Sequence, residues 1–516
     1  MYVMSIDAGT GSIRALIFDM SGKVCAIAQH EWVHKSEAGV PDSMRFDYDT
    51  GWRLTCKCIQ EAIAKAGIDA SEIAAVTASS MREGIVAYDK EGKEIFAVAN
   101  VDARASDEVA YINERHPNLE REFYAISGQT FALGALPRLL WLKNNRPNLY
   151  ERLDKINMIS DWVLTKLSGA IVSEPSNAST SGIFSLKERR WRGDMAAKLG
   201  LKEDIFPETY ESGTIIGGVS ERASKECGLS VACKVVTGGG DVQLASAGLG
   251  IVRSGQSAIL GGTFWQQIVN MHEIRTHESM DIRINAHIVK NLVQAEGITF
   301  FSGMAMRWFR DTFCEYEKML AERERIDFYD FMQKRARDIP VGSHGILPIF
   351  SDAMRYGRWY HAAPSFLNLS LETTSKAAMF RSLMENAAIV SKINLENIYA
   401  FSGVSSERIT FAGGASKGAL WSQTLADVLG KEVAIPDINE ATALGGAFLC
   451  FVALGAYGSI EEAAESLVRF KKTYEPDMRN YKEYEALAQR WQTAYAAQRA
   501  LVDAGVTVSM WRAPGI

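Results

Sequence analysis

Short apolar runs separated by polar breaks set the frame of the first hundred residues. Residues 2–6 read as a strand, 14–18 resume as a second, and Val24 to Gln29 form a third, with Met20-Ser21-Gly22-Lys23 as turn chemistry before it. Trp52, Cys56, Ile59 and Ile63 then recur at helical spacing, which predicts an amphipathic helix from Asp49 to Ala66 ended by Gly67. Ile73 to Thr77 predicts a buried strand. Ile85 to Tyr88 and Glu94 to Ala99 predict a hairpin around Asp89-Lys90-Glu91-Gly92. Residues 105–165 read as mostly helical, and Ser173 to Ser185 as a polar loop.

The pattern then starts again. Val231 to Thr237 leads into Gly238-Gly239-Gly240, and small apolar residues from Val242 to Gly250 predict a helix. Ser254-Gly255-Gln256 reads as a hinge. Beyond it, Ala258-Ile259-Leu260 is a strand, Gly261-Gly262-Thr263 a loop, and Phe264 to Val269 a strand. Asp7-Ala8-Gly9-Thr10 and Leu260-Gly261-Gly262-Thr263 thus share one strand–loop–strand context, which points to two similar halves, 1–250 and 251–516, facing each other across a nucleotide. A helix from about Met304 should turn Trp308 and Phe309 to the core, and a long helix should run from Ser375 to about Ile398. Arg408 to Phe411 is a strand ending in Ala412-Gly413-Gly414. Trp421 to Leu429 is a helix, Val433 to Ile435 a strand, and Asn439 should cap an apolar helix. The tail, Tyr484 to Val502, is amphipathic. Strand, glycine loop, helix, strand and helix in succession are α/β architecture.

Composition narrows the classes. With 516 residues the chain exceeds one ordinary domain. Apolar residues make up 47% and charged ones 23%, a globular balance, and the net charge of −6 argues against a nucleic-acid or acidic-membrane surface. The seven cysteines contain no Cys-x-x-Cys pair, which leaves buried reduced thiols rather than zinc. Met1 to Ile6 lacks a basic segment, so neither a signal peptide nor secretion is expected and a cytoplasmic protein is. The uncharged run from Thr442 to Ile460 approaches a membrane span in length, but its Gly and Ala content suits a buried helix.

Two loops and two strand ends carry candidate chemistry. Asp241 follows three glycines at a helix start, where a carboxylate either caps the helix or accepts the proton of a hydroxyl opposite a donor phosphate. In Asp7-Ala8-Gly9-Thr10-Gly11-Ser12-Ile13-Arg14 no Gly-Lys-Ser/Thr follows, so this is not a Walker loop. Its amides and the hydroxyls of Thr10 and Ser12 can cradle phosphates, with Asp7 placed to hold Mg²⁺ through water; a plain β-turn is the alternative. Arg82-Glu83 and Asp102/Arg104 stand at predicted strand ends, either as small-ligand contacts or as surface ion pairs.

Taken together and in order, Asp7 to Ser12, Gly239-Gly240-Asp241-Val242-Gln243, Gly261-Gly262-Thr263 and Phe411-Ala412-Gly413-Gly414 before Ser416-Lys417 resemble the FGGY carbohydrate kinases. The resemblance implies two ribonuclease-H-like domains of the actin/sugar-kinase type with an interdomain cleft for ATP, Mg²⁺ and a small substrate. It implies Asp241 as catalytic base and possible metal neighbour, Asp7 as the metal residue, and Arg82, Glu83, Asp102 and Gln243 as substrate contacts. Thr10, Gly11, Ser12, Arg14, Gly262, Thr263, Gly303, Gly413 and Gly414 would bind ATP and its phosphates. Ser80 to Val86, Ala99 to Ala105, Gly261 to Gln267 and Trp359 to Phe366 resemble most closely a branch of that family. That branch phosphorylates a linear hydroxylated five-carbon dione, and its resemblance also implies a regulatory partner such as a phosphotransferase-system carrier. Leu133-Gly134 stand where glycerol kinases carry a substrate-contacting tyrosine, which argues against glycerol. A non-catalytic actin-like nucleotide switch is the rival reading, and the absence of a separate peptide-binding domain after the two halves counts against it.

Overall fold

A computed structural model of the chain describes residues 1–132, 134–352 and 360–512. Leu133 and Trp359, both used in the reading of the sequence, lie outside the described residues. Two seven-stranded mixed sheets organise the chain. In the first, Tyr2–Ala8 forms an antiparallel hairpin with Ser12–Asp19, and Val24–Glu31 extends it. On its other side Tyr2–Ala8 pairs in parallel with Ile73–Ser80, which carries Lys234–Val236 in parallel, and Ile215–Gly218 closes that edge antiparallel. The second sheet repeats six strands of this plan and adds Arg283–Ala286 at one edge, whereas the first sheet instead has Gly239–Gly240 beside Ile73–Ser80. Ser257–Gly261 forms a hairpin with Trp265–Met271, extended by Val293–Thr299. Ser257–Gly261 also runs parallel to Arg408–Ala412, which carries Glu432–Pro436, with Phe470–Tyr474 closing antiparallel. The four-residue likeness of the two loops therefore reports a duplicated sheet topology.

Local chemistry explains the elements that frame the site. Asp47 caps the helix Tyr48–Ala66, and Gly67 ends it in the left-handed conformation that only glycine adopts without strain. The uncharged run becomes the helix Ala441–Ala453, buried against Val3, Leu16 and Phe18 of the first sheet. It crosses back from the second half, and among the described residues no helix is long and apolar enough to cross a membrane. All seven cysteines are free and only Cys25 is exposed.

Several expectations are corrected. Trp308 is 40% exposed, because the helix Ser302–Phe313 turns Ala305, Met306 and Phe309 inward instead. Asn439 caps nothing; Glu440 precedes the first turn without a side-chain cap bond and binds Arg14. The polar segment after Ser173 is no surface loop. Pro175–Ala178 is a helical turn, and Ser173, Glu174, Ser176, Asn177, Ser179 and Ser181 are fully buried. Their hydroxyls and amides answer buried backbone that would otherwise lack partners: Ser176 Oγ accepts the Gly240 N–H at 3.0 Å and Ser179 Oγ the Ala286 N–H at 3.0 Å.

Candidate active site

The triple glycine lies flat on the end of a strand. Gly239 and Gly240 pair in parallel with Ser79 and Ser80, and a Cβ on Gly238 would sit 1.7 Å from the Ala78 carbonyl oxygen. That close approach fixes where the next helix, Asp241–Gly248, begins. Asp241 is its first residue, and its Oδ1 accepts the Val242 N–H at 2.7 Å. It therefore does stabilise the helix start, as a bland reading would have it, yet its side chain is still 37% exposed to the cleft. Arg82 Nε stands 3.8 Å away. Enclosure by protein pushes the Asp241 carboxyl up to about 7; Arg82 opposes the rise, while Asp7 and Glu83 add to it.

Arg82 and Glu83 leave the strand Ile73–Ser80 into a tight corner. Glu83 has φ +62°, an unusual value for a non-glycine residue of the kind that gathers at functional sites. Arg138 secures the corner by donating to the carbonyls of Glu83, Asn100 and Asp102. Both charged side chains are buried, so neither belongs to a solvated surface pair. Arg82 Nη1 donates to both oxygens of Glu296, at 2.6 and 2.8 Å, and Arg283 pairs with Glu83. Burial raises the Glu83 carboxyl, but Arg283, Arg82 and Arg138 outweigh it and hold the group below its ordinary range. Gln243 is fully buried, with Nε2 donating to Gln294 at 3.2 Å and Glu296 at 3.0 Å.

Asp102 departs from expectation. Its side chain has no exposed surface; it accepts from Arg104 Nε at 2.9 Å and from the Met44 N–H at 2.5 Å. Arg104 in turn lies over the rings of Phe96 and Trp141 and reaches Glu37 at 3.0 Å. In this conformation the Asp102 carboxylate is a buried brace between Arg104 and the Met44 backbone. Its carbonyl, not its carboxylate, contributes to the corner, through Arg138.

The first glycine–threonine loop is pinned from behind. Trp32 Nε1 donates to the Gly9 carbonyl at 2.9 Å and the Trp32 N–H to the Gly11 carbonyl at 3.1 Å. With those carbonyls engaged, Thr10 and Gly11 stand exposed, and Ser12 is half-buried. Asp7 accepts from Arg14 Nη2 at 2.6 Å and from Ser79 Oγ at 2.8 Å. Arg14 also donates to Glu440 at 2.5 Å, tying the loop to the second half.

The second loop opens into a cleft of about 600 Å³, a size that suits a nucleotide. Gly262, Thr263, Gly303 and Gly414 line it, with Tyr329, Gln333 and Trp421 among its walls. Gly413 does not line it. With φ +95° and a would-be Cβ 2.7 Å from the Gly261 carbonyl oxygen, it shapes the loop from below. Gly303 is similar: a Cβ there would meet the Gly262 carbonyl oxygen at 2.3 Å. Trp265 is fully buried between Phe411 and Trp421 beneath this cleft. Among the described residues no hydrogen bond joins the loop of Thr10 to that of Thr263.

The sequence reading missed Arg138, Arg283, Gln294 and Glu296. A signal existed for the last two. Gln294 and Glu296 alternate on one face of Val293–Thr299, a strand otherwise fit for a core, and unbalanced polar groups there need partners.

The geometry agrees with comparisons to known proteins. Profiles of the FGGY family of carbohydrate kinases match residues 2–248 for its N-terminal domain and 272–454 for its C-terminal domain. The chain belongs to the FGGY family of carbohydrate kinases. It is thus a transferase with a hydroxyl acceptor. It is 51% identical over 518 aligned residues to the autoinducer-2 kinase of Salmonella typhimurium, covering 100% of this chain and 98% of that protein. Identity to the autoinducer-2 kinase of Klebsiella pneumoniae is likewise 51%, with 97% of that protein covered. Among solved structures, the xylulose kinase of Lactobacillus acidophilus superposes with a TM-score of 0.86 at 18% identity, over 97% of this chain and 98% of that one. Plasmodium falciparum glycerol kinase with ADP gives a TM-score of 0.81 at 18% identity, over 96% of this chain and 98% of that one. These two likenesses describe the FGGY fold, two α/β domains of the ribonuclease-H/actin type.

Proposed function

We propose that this FGGY kinase transfers the terminal phosphoryl group of ATP to the terminal hydroxyl of autoinducer-2 in its open form, 4,5-dihydroxypentane-2,3-dione. The product is phospho-autoinducer-2. The observation that carries the substrate is the 51% identity to autoinducer-2 kinases across the whole chain. The observation that supports the chemistry is Asp241, a cleft carboxylate with its proton affinity raised to about 7, close to neutral pH. Asp241 takes the hydroxyl proton as the oxygen attacks phosphorus. Arg82 offers its Nε and Nη2 edge to the acceptor oxygens, and Glu83 accepts from its hydroxyls. The exposed Thr10 and Gly11, with half-buried Ser12 and with Arg14, receive the phosphates from one side, and Gly262 and Thr263 from the other. Gly303, Gly413 and Gly414 keep the adenosine side open. Most of the rate enhancement is positioning and charge stabilisation, as phosphoryl transfer requires.

The residues fit a hydrated Mg²⁺. Among the described residues no cluster of three metal-binding side chains exists, and both Asp7 oxygens already accept protein hydrogen bonds. An ion that keeps its waters and binds mainly to substrate phosphates needs only one or two carboxylates, which Asp7 and Asp241 provide. When bound, it neutralises charge on the phosphate oxygens. The working division of the chain is 1–250, with the acceptor site, and 251–516, with the nucleotide cleft; the helix Ala441–Ala453 returns to the first sheet. A need for ATP favours a cytoplasmic enzyme.

The test compares kcat/KM for dihydroxypentanedione, glycerol, D-xylulose and D-ribulose at one ATP concentration. Dihydroxypentanedione should be preferred strongly, since a site built for particular polar groups rejects analogues that leave them unpaired. A preference for any of the other three overturns the substrate and leaves the kinase reading intact.

A further inference from the structure

Side chains from the second half hold the acceptor-facing groups of the first. Glu296, whose side chain has no exposed surface, is the shared point. Its Oε1 accepts from Arg82 Nη1 at 2.6 Å and from Gln243 Nε2 at 3.0 Å, and its Oε2 accepts from Arg82 Nη1 at 2.8 Å. The Gln243 amide is thereby oriented: Nε2 serves Glu296 and Gln294, while Oε1 has no protein partner and lies 2.6 Å from where a Cβ on Gly240 would stand. Arg82 spends only Nη1 on Glu296. Its Nε faces Asp241 at 3.8 Å, too long for a hydrogen bond, and among the described residues Nη2 makes none. Arginine and carboxylate left to themselves close into a bidentate pair. Such a pair between Arg82 and Asp241 would lower the basicity of the carboxylate and occupy the donors meant for substrate.

We propose that Glu296 is a positioning residue of the acceptor site, holding Arg82 off Asp241 and fixing the Gln243 amide so that base and donors stay separate. The inference rests on the acceptor-site reading above. It adds that the second half, which binds nucleotide, also sets the hydrogen-bond polarity of the acceptor site.

Steady-state kinetics of the full chain with dihydroxypentanedione and ATP tests it. Glu296→Gln keeps the shape and removes the charge. It should lower acceptor kcat/KM by about a hundredfold, as misplacement of reacting groups does, with the ATP KM within about twofold. Glu296→Asp keeps the charge and shortens the reach, and should show a smaller loss in the same direction. The charge-conserving swap Glu296→Gln with Gln243→Glu returns one carboxylate to the pair and should recover part of the loss. A purely structural role would instead move the ATP KM and the melting temperature together with the acceptor constants, and overturns the proposal. So does an acceptor kcat/KM within twofold of the parent in both Glu296→Gln and Glu296→Asp. Asp241→Asn and Arg82→Gln in the same assay separate the layers. If these two leave turnover intact, the acceptor-site reading fails. If they abolish it while the Glu296 variants do not, only the role of Glu296 fails.

Discussion

The two glycine–threonine hairpins share one topology and do different work. Around the first, Asp7, Arg14, Arg82, Glu83 and Asp241 crowd a strand edge with charge, and the first four are held by side-chain partners. Around the second, the contacts are backbone against backbone: Gly303 on Gly262, and Gly413 on Gly261. Charge placed on rigid strand ends suits bond making, where a fraction of an ångström matters. Side chains left out suit the reception of a bulky ligand. One repeated strand plan thus serves both needs, with different residues at the strand ends.

The contrast breaks most sharply at Asp241. Asp241→Asn should fold and bind ATP but lose about 10²–10⁴-fold in kcat, the usual worth of a general base. Near-parental turnover would remove the chemical role of the first hairpin. Next comes Asp102, whose charge is tied into a buried ion pair. Asp102→Asn removes one of the carboxylates that Arg104 holds and leaves it Glu37, so the loss should fall short of the about 3–5 kcal/mol that breaking a buried pair outright typically costs. Thermal melting should report that loss, while acceptor KM in the folded fraction stays close to the parent value. A selective rise in acceptor KM without a drop in melting temperature would return Asp102 to the substrate.

Two glycines of the second region should then part company. A Cβ at Gly414 meets nothing within 4 Å, so Gly414→Val should melt normally and raise the ATP KM by intruding on the cleft. At Gly303 the Cβ would meet the Gly262 carbonyl oxygen at 2.3 Å, so Gly303→Val should lower stability as well. Equal behaviour of the two in melting and ATP titration would contradict the assignment of space to one and packing to the other. The gentlest prediction is pH dependence. Asp241 acts as base only when ionised, and with its carboxyl at about 7 the competent fraction falls as pH drops. Acceptor kcat/KM should fall about tenfold between pH 6 and pH 5, and a profile flat to pH 5 would detach the chemistry from this group.

The loops were legible because their residue types have few other uses. Glycine runs between a strand and a helix, and Gly-Thr at a hairpin tip, are local signals that survive without knowledge of the rest of the chain. Apolar periodicity placed the helix Tyr48–Ala66 and the tail helix for the same reason. What stayed hidden depends on distant partners. Arg283, 200 positions from Glu83, and Glu296, 214 from Arg82, are ordinary strand residues until the sheets meet. The segment Ser173 to Ser181 misled because polar residues normally mark surface; here they are buried because backbone from three directions needs donors and acceptors. Trp308 misled through hydrophobicity, which does not forbid exposure.

The crossing of helices Asp241–Gly248 and Ala441–Ala453 has a mechanical meaning. A Cβ at Gly445 would lie 1.9 Å from the Leu244 carbonyl oxygen, and one at Gly248 would lie 1.9 Å from the Ala441 carbonyl oxygen. Two rods in such contact cannot slip lengthwise, because each backbone bulge sits in a notch of the other. The crossing is therefore a stiff joint, and Asp241 opens one of its two helices, with Thr442 Oγ1 on its carbonyl at 3.5 Å. Asp241 is thus mounted on a joint that resists lengthwise slip, which anchors its carboxylate more firmly than a loop would.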